Sequence, residues 1–220
     1  MEELNCKIMF TIPVGDGLPI YESVVVTWIV MAVLVLLSII LVRNLKVENP
    51  GKKQLALEAG YLFFRNFFYN LLGEHGARYI PYMITIVLYI GLANIMGVFG
   101  FVPPTKDMGV TIALALMSII LIEYSGIHQK GTKGWLKSFA EPIPIMLPIN
   151  ILEIGIRPLS RCMRLFGNVL GSYVVMKLVE IICPILLPVP FNLYFDFFDG
   201  FIQAYVFVFL TSLFISEAVE

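Results

Sequence analysis

Residues 146–182 read MLPINILEIGIRPLSRCMRLFGNVLGSYVVMKLVEII, and this stretch decides the class of fold. A continuous helix over these largely apolar residues would be about 55 Å long. The hydrocarbon core of a bilayer is only about 30 Å thick, so we expect a membrane helix that tilts strongly, kinks or bends. Charged side chains interrupt its apolar positions at Glu153, Arg157, Arg161, Arg164, Lys177 and Glu180.

The composition points to the same class. The chain is 59% hydrophobic and 14% charged, whereas soluble domains average about 45–50% apolar and about 25% charged residues. A formal net charge of −1 gives no reason to expect a nucleic-acid partner. The three cysteines form no CxxC pair and have no histidine partners in the sequence, so neither a disulfide framework nor a zinc site is indicated.

Four more apolar stretches have the length of about 20 residues that a membrane-spanning helix needs. They cover residues 24–42, 79–104, 108–127 and 191–216. Residues 55–72 combine Leu and Phe with charged and amide side chains, which favours an amphipathic helix lying in the membrane interface. Together with 146–182, the pattern predicts an all-α polytopic membrane protein. We expect five transmembrane helices and one interfacial helix, which together form a single membrane domain over residues 1–220.

The distribution of Lys and Arg predicts the orientation. Residues 43–79 hold six of these cations and residues 128–141 hold three, whereas the segments expected on the other side hold only Lys7 and Lys106. Basic loops stay in the cytoplasm, so we expect the N-terminus outside and the C-terminus inside. The N-terminal residues lack a basic region before an apolar stretch, so no cleaved secretory signal is expected.

Three arginines fall within the long helix of residues 146–182. Arg157 and Arg164 are seven residues apart and share a face, about 10 Å apart along the axis, with Arg161 between them and a little to one side. Guanidinium groups remain protonated at any working pH, so these side chains must face water, carboxylates or a partner protein. We therefore expect a helix that faces another subunit rather than lipid.

The last predicted helix supplies a second polar row. Asp196 and Gln203 are seven residues apart and Asp199 and Gln203 are four apart, so α-helical spacing places them close to one face. If Gln203 lies level with Arg164 on the antiparallel long helix, two polar columns result, one on each side of that arginine. The outer column would contain Asp196, Asp199, Asn168 and Tyr173, and the inner column Asn150, Glu153, Arg157 and Ser160. Two half-paths separated by a fixed positive charge form a relay with a barrier in it.

Each of these residues also has a structural interpretation. Arg164 or Arg157 can form an ion pair with Glu153, and Gln203 can hydrogen-bond a neighbouring helix. Arg161 fits a structural role or a contact with a partner subunit. A charged side chain inside a membrane segment nevertheless indicates an ion path by default, because its burial in lipid is costly.

Several short motifs resemble one family. They are PINILE at residues 148–153, RPLS at 157–160, MRLFGN at 163–168, IQAYVF at 202–207 and SEAVE at 216–220. In this order and at this distance they resemble the signature of subunit a of F-type ATP synthases. The resemblance is strong over residues 143–220, and the preceding spans agree with the family in number, order and loop charge.

The resemblance implies the role of individual residues. The family's essential arginine matches Arg164, which would pair with a carboxylate on each c subunit and separate two half-channels. The polar partners of that arginine match Asn168 and Gln203. An acidic or histidine position in the outer path matches Asp196, whereas a position that is often Glu in the family falls at Tyr173. A tyrosine, with a reference pKa of about 10, is a poor proton carrier at neutral pH.

The resemblance also implies the partners. A ring of c subunits would contact the 146–182 and 191–216 helices, and peripheral-stalk b subunits and the remaining ATP synthase subunits would complete the complex. The chain would be no enzyme on its own, because it lacks a P-loop and any other nucleotide-binding signature. It would bind no cofactor and would translocate H⁺ or Na⁺, in a bacterial plasma membrane by analogy.

Two other functions compete with this interpretation. A secondary transporter could bind an anionic substrate at the intramembrane arginines, but such transporters usually show inverted repeats, and the sequence contains no repeat. If the chain were only a membrane anchor, the three arginines of the 146–182 helix would have no function. Copurification with a ring of small hairpin proteins would favour the ATP synthase subunit over both.

Overall fold

The computed structural model describes residues 8–12, 18–43, 45–46, 51–99, 103–138, 147–182 and 188–219. Nearly all of these residues are helical, and five helical segments are long and apolar enough to cross a membrane. They are Glu22–Val42, Lys52–Ile95, Met108–Thr132, Leu147–Ile182 and Leu193–Val219. The all-α polytopic membrane fold predicted from the sequence is thereby confirmed.

The described part of the chain begins with two strands that the sequence did not predict, and β1 (Ile8–Ile12) pairs antiparallel with β2 (Leu18–Tyr21). Helix α1 (Glu22–Val42) follows directly. Only the first half of α1 packs against the other helices, through Ser23, Val26 and Val30, and the apolar side chains of its second half are exposed. An exposed apolar helix of this length fits a lipid environment.

Helix α2 (Lys52–Gly76) contains the predicted interfacial segment 55–72 and breaks at Gly73. Gly73 has φ 65°, a conformation that glycine adopts without the steric penalty of a side chain. A 3₁₀ turn then leads from Ala77–Tyr79 into α3 (Ile80–Ile95). The inner side of α2 packs on the core through Phe68 and Leu72, and most of its other side chains are exposed.

The helix predicted over 79–104 is shorter than expected. Helix α3 ends at Ile95, and 3₁₀ turns cover Met96–Phe99 and Pro104–Lys106. The prediction followed the absence of charge, but glycine and proline are poor helix formers, and this part of the chain holds Gly97 and Gly100 before Pro103. Apolar composition alone therefore overestimated the length of this helix.

Helix α4 (Met108–Ser138) runs beyond the predicted limit of 127 and breaks at Gly131, where φ is 71°. The prediction stopped where the apolar stretch ends, but the polar residues that follow can continue an α-helix in water beyond the bilayer. Helix α5 (Leu147–Ile182) corresponds to the predicted 146–182 and carries Pro158 inside. Proline lacks the N–H that would bond the preceding turn, so it loosens the helix at this point.

The C-terminal span is not one uniform α-helix. It consists of α6 (Pro188–Asn192), a π-helical segment (Leu193–Asp199) and α7 (Gly200–Val219), where the sequence predicted a single helix over 191–216. Aromatic rings stack along the π segment, with Tyr194 in contact with both Phe195 and Phe198. π-helical turns are rare and occur frequently at functional sites.

Helix α7 lies at the centre of the bundle, against α2, α3 and α4, whereas α5 packs mainly on α4. The core is built from fully buried apolar side chains that these helices share, among them Phe68, Met83, Ile90, Ile122, Leu165 and Ile215. One face of α5 stays exposed and is largely apolar, with Leu152, Ile156, Leu159 and Met163. Among the described residues, no other helix covers this face.

A buried polar network joins α3 to the start of α7. The Asn94 amide donates a hydrogen bond to the Gly200 carbonyl oxygen at 3.0 Å, and the Thr105 hydroxyl donates to the Asn94 side-chain oxygen at 2.7 Å. A Cβ atom added at Gly200 would lie 2.7 Å from the Cβ of Asn94. The absence of a side chain at Gly200 thus permits the close approach of the two helices.

We expect Gly200→Ala to destabilise the protein by about 1–3 kcal/mol, because the new methyl group collides with Asn94 and the helices must separate. Gly91→Ala is the matched control, since a Cβ there meets nothing within 4 Å, and helix propensity alone should stabilise that variant by about 0.5–1 kcal/mol. Thermal unfolding of the purified protein in detergent measures both. Equal Tm values for the two variants would contradict the close-approach explanation.

Candidate functional site

Arg164 and Gln203 line the same small cavity, of about 10 Å³, between α5 and α7. Gln203 is buried, at 6% exposure, whereas the Arg164 side chain is exposed at the edge of α5. The structure thus brings Arg164 and Gln203 to one cavity, whereas their level pairing on antiparallel helices stays a prediction. The cavity is also lined by Arg161, Leu165, Phe207 and Leu210.

Asn168 lies one helical turn beyond Arg164 and is also exposed. Residues four apart on an α-helix are neighbours on one face, so Asn168 and Arg164 are presented together on the side of α5 that α4 does not cover. A partner that contacts this face meets the guanidinium and the amide side by side.

Arg161 has an environment unlike that of Arg164. It is buried at 3% exposure, and its Nη1 donates a hydrogen bond to the Ser118 hydroxyl at 2.8 Å. The centre of its guanidinium lies 4.8 Å from the centroid of the Phe214 ring. Arg161 is therefore held between α4 and α7, inside the chain.

A pocket of about 350 Å³ opens at the end of the bundle that carries Arg78 and Lys130, here called the basic end. Its polar lining comes from α4, α5 and the end of α7. The lining includes Glu123, Lys130, Trp135, Asn150, Glu153, Arg157 and Glu217. It thus brings together Asn150, Glu153 and Arg157, three of the four residues that the sequence placed in the inner column, whereas Ser160 is exposed and does not line the pocket.

Arg157 is the centre of an ion-pair network in this pocket. Its Nη2 donates to Glu153 Oε2 at 2.7 Å and to Glu217 Oε1 at 3.1 Å. The pairing with Glu153 is the structural alternative that the sequence left open, and the bond to Glu217 links α5 to the last turn of α7. Trp135 also donates to Glu123 at 2.9 Å.

Sequence reasoning assigned no role to Glu217, Glu123 or Trp135. Glu217 belongs to the SEAVE motif, which was a usable signal, because the motif ends the same helix that carries Gln203. Glu123 and Trp135 carried no signal of this kind, since only the packing of α4 against α5 and α7 brings them to the pocket.

Tyr173 lies at the opposite end of α5, here called the far end, together with the turn Pro104–Lys106. The Lys106 ammonium is 3.4 Å from the centroid of the Tyr173 ring, and that of Lys177 is 5.8 Å away. Lys177 also forms an ion pair with Glu180 at 3.2 Å. The ring of Tyr173 thus interacts with cations through its face.

Asp196 and Asp199 both fall within the π-helical segment Leu193–Asp199. The Asp199 side chain is half-buried beside the start of α7, and the Asp196 side chain lies outside the described part of the structure. π-helical turns contain more residues than α-helical turns. The α-helical phase that placed Asp196 on the face of Gln203 therefore does not hold, and the path role of both aspartates stays a prediction.

The described residues contain no group of three or more His, Cys, Asp or Glu side chains that could hold a metal ion. The arrangement instead combines an exposed arginine at mid-height, a polar pocket at one end and polar side chains toward the other. Such a site can attract a carboxylate presented by a partner and can exchange small cations with water at the pocket.

Comparison with known proteins identifies a matching family. The model of the ATP synthase A chain family matches residues 24–216. The chain is 36% identical to ATP synthase subunit a of Moorella thermoacetica over 204 residues, covering 92% of this chain and 93% of that protein.

Two further relatives extend the comparison. The chain is 31% identical over 245 residues to the sodium ion specific ATP synthase subunit a of Propionigenium modestum, covering 97% of this chain and 84% of the relative. It is 34% identical over 204 residues to ATP synthase subunit a 1 of Hahella chejuensis, covering 92% and 86%.

We expect Tyr173→Leu to destabilise the protein by about 0.5–1 kcal/mol, because the Lys106 ammonium loses the aromatic face beneath it. Tyr173→Phe is the matched control, since it keeps the ring and removes only the hydroxyl group. Thermal unfolding of the purified protein in detergent measures both variants. Destabilisation of Tyr173→Phe to the same extent would show that the hydroxyl, and not the ring, holds this end together.

Proposed function

Because the chain belongs to the ATP synthase A chain family, an ion-translocating membrane subunit of the Fo sector, we propose that it provides two offset half-channels separated by Arg164. Ions enter from the far end, load a carboxylate on a ring of c subunits and leave through the pocket at the basic end. The arrangement that carries this proposal is the Arg164–Gln203 cavity, which lies between the pocket and the polar far end.

The exposure of Arg164 supports its pairing with a partner carboxylate. A guanidinium exposed on an apolar helix face is costly in lipid, so it needs an anion or water in the assembled complex. The apolar side chains around it on α5 offer a surface for the c ring. Gln203 lines the same cavity as Arg164 and offers an amide to the carboxylate that approaches.

The pocket at the basic end fits the inner half-channel. It is large enough for many water molecules, and Asn150, Glu153 and Glu217 present oxygen atoms that can interact with a hydrated cation. Arg157 holds the two carboxylates in place. An ion released by the ring reaches the cytoplasm through this pocket.

The outer half-channel follows the polar side chains of the far end. Asp199, Asn168 and Tyr173 lie between Arg164 and that end, and Asp196 in the same π segment would extend the path. An ion that arrives here neutralises a c-ring carboxylate, which can then rotate through lipid without the cost of an exposed charge. The membrane potential supplies about 2.3 kcal/mol per charge for each 100 mV.

Rotation of the ring couples this transfer to ATP chemistry in other subunits, so the chain itself binds no nucleotide and is no enzyme on its own. The c ring contacts the 146–182 and 191–216 helices, and peripheral-stalk b subunits hold the chain stationary. The N-terminus lies outside a bacterial plasma membrane and the C-terminus inside. The translocated ion is H⁺ or Na⁺, and the likeness to a sodium ion specific relative makes Na⁺ worth testing directly.

Replacing Arg164 tests the proposal. In sealed vesicles that contain the assembled complex, Arg164→Ala should abolish both ATP-driven ion pumping and gradient-driven ATP synthesis, with passive leak unchanged or increased, because the barrier charge is lost. Ion uptake is measured with H⁺- and Na⁺-sensitive dyes, and varying the Na⁺ concentration identifies the ion.

Lys177→Ala is the matched control, since Lys177 is an exposed cation on the same helix and pairs with Glu180. It should pump like the wild type. Normal assembly and coupled transport in Arg164→Ala would refute the barrier role. Tight binding of a small anion by the purified chain alone would instead favour the secondary transporter.

Cysteine labelling tests the inner half-channel and the orientation together. In a chain whose Cys6, Cys162 and Cys183 are replaced by Ser, Asn150→Cys should react with a membrane-impermeant maleimide that is added on the cytoplasmic side. Leu159→Cys, on the exposed apolar face of α5, should stay unlabelled in the assembled complex because the ring and lipid cover it. Labelling of Asn150→Cys from the outside alone would reverse the proposed orientation.

A further inference from the structure

We propose that Arg161 is a second barrier charge, fixed inside the chain between the pocket at the basic end and the Arg164–Gln203 cavity. It keeps this passage closed to cations while Arg164 is paired with a c-ring carboxylate. The inference rests on the proposed function of the chain, and it adds an internal barrier to the one that Arg164 forms at the ring.

The position of Arg161 places it between the two polar spaces. It lines the small cavity together with Arg164 and Gln203, and it shares the Phe214 ring with Arg157, which lines the larger pocket. The guanidinium centres of Arg157 and Arg161 lie 4.5 Å and 4.8 Å from the Phe214 centroid. A chain of contacts through Arg161, Phe214 and Arg157 therefore joins the cavity to the pocket.

Arg161 is enclosed by the helices around it, in contrast to Arg164. Only 3% of Arg161 is exposed, and its hydrogen bond to Ser118 fixes the guanidinium against α4. Arg164 is exposed on the free side of α5, so its side chain can follow the carboxylate of a passing c subunit. A barrier that depended on Arg164 alone would weaken whenever such a carboxylate neutralised it.

The charge of Arg161 is not offset by an acid in the described part of the chain. Arg157 has two carboxylate partners, whereas the ion pairs found among the described residues do not include Arg161. Its Nε and Nη2 atoms are buried and have no hydrogen-bond partner there. Since a guanidinium remains protonated even when it is buried, Arg161 keeps a positive potential at this point of the passage.

The cavity can hold a single water molecule next to this charge. Its volume of about 10 Å³ is close to the smallest space that accommodates one water. A water there can accept from the unpartnered N–H groups of Arg161 and can bond to Gln203. It cannot pass a cation onward, because the neighbouring guanidinium repels Na⁺ and hydronium alike.

The test measures passive ion flux through the membrane sector after removal of the soluble catalytic sector from vesicles. Arg161→Met replaces the guanidinium by a long uncharged side chain, and we expect its passive flux to rise about tenfold (about 1.4 kcal/mol of barrier). Leu114→Ala is the matched control, because it removes a buried side chain of α4, one turn from Ser118, without changing a charge and lines neither the cavity nor the pocket. Its flux should stay close to that of the wild type.

The possible outcomes separate this inference from the packing alternative and from the proposed function. An unchanged flux in assembled Arg161→Met, or an equal rise in Leu114→Ala, overturns the barrier role of Arg161. If Arg161→Met does not assemble, Ser118→Ala decides: loosening the guanidinium should raise the flux, and an unchanged flux overturns the inference. Arg164→Ala, tested in parallel, reports on the proposed function alone, since coupled transport in that variant would refute the function whatever Arg161 does.

Discussion

The cost of placing guanidinium charges at membrane depth is the constraint on which the arrangement of α5 depends. Each of its three arginines is stabilised by a different environment. Arg157 is paired with carboxylates, Arg161 is enclosed by a hydroxyl and an aromatic ring, and Arg164 is exposed on a face that no described helix covers. Because they are three and four residues apart, one helix can point them toward the pocket, α4 and a partner at the same time.

The position of Gln203 depends in turn on the close contact between α3 and α7. The Asn94 bond to the Gly200 carbonyl lies three residues before Gln203, so it fixes the height of this amide relative to α3. Thr105 extends the same network to the turn that carries Lys106, whose ammonium rests on Tyr173. The polar groups of the far end are thus connected to the central cavity through packed, hydrogen-bonded structure.

Some of this arrangement could be predicted from the sequence. The membrane class and the number of spans followed from hydropathy, because lipid forces every backbone group into an internal hydrogen bond. The meeting of Arg164 and Gln203 at one cavity agrees with the motifs that paired their helices. Hydropathy carries no information about hydrogen-bond register, so the π-helical segment was missed, and Glu217 was missed because it meets Arg157 from 60 residues away.

The charges around the pocket give the proposed route a direction. Its lining contains the carboxylates Glu123, Glu153 and Glu217 but only Lys130 and Arg157 as cations. A pocket with an excess of negative charge attracts a cation, and low-dielectric walls concentrate that field. Immediately behind it, the buried Arg161 repels the same cation. Under the proposed function, an ion in the pocket can therefore leave to water. Arg161 blocks its movement through the chain toward the Arg164–Gln203 cavity, so it can cross back only when it is bound to the rotating ring.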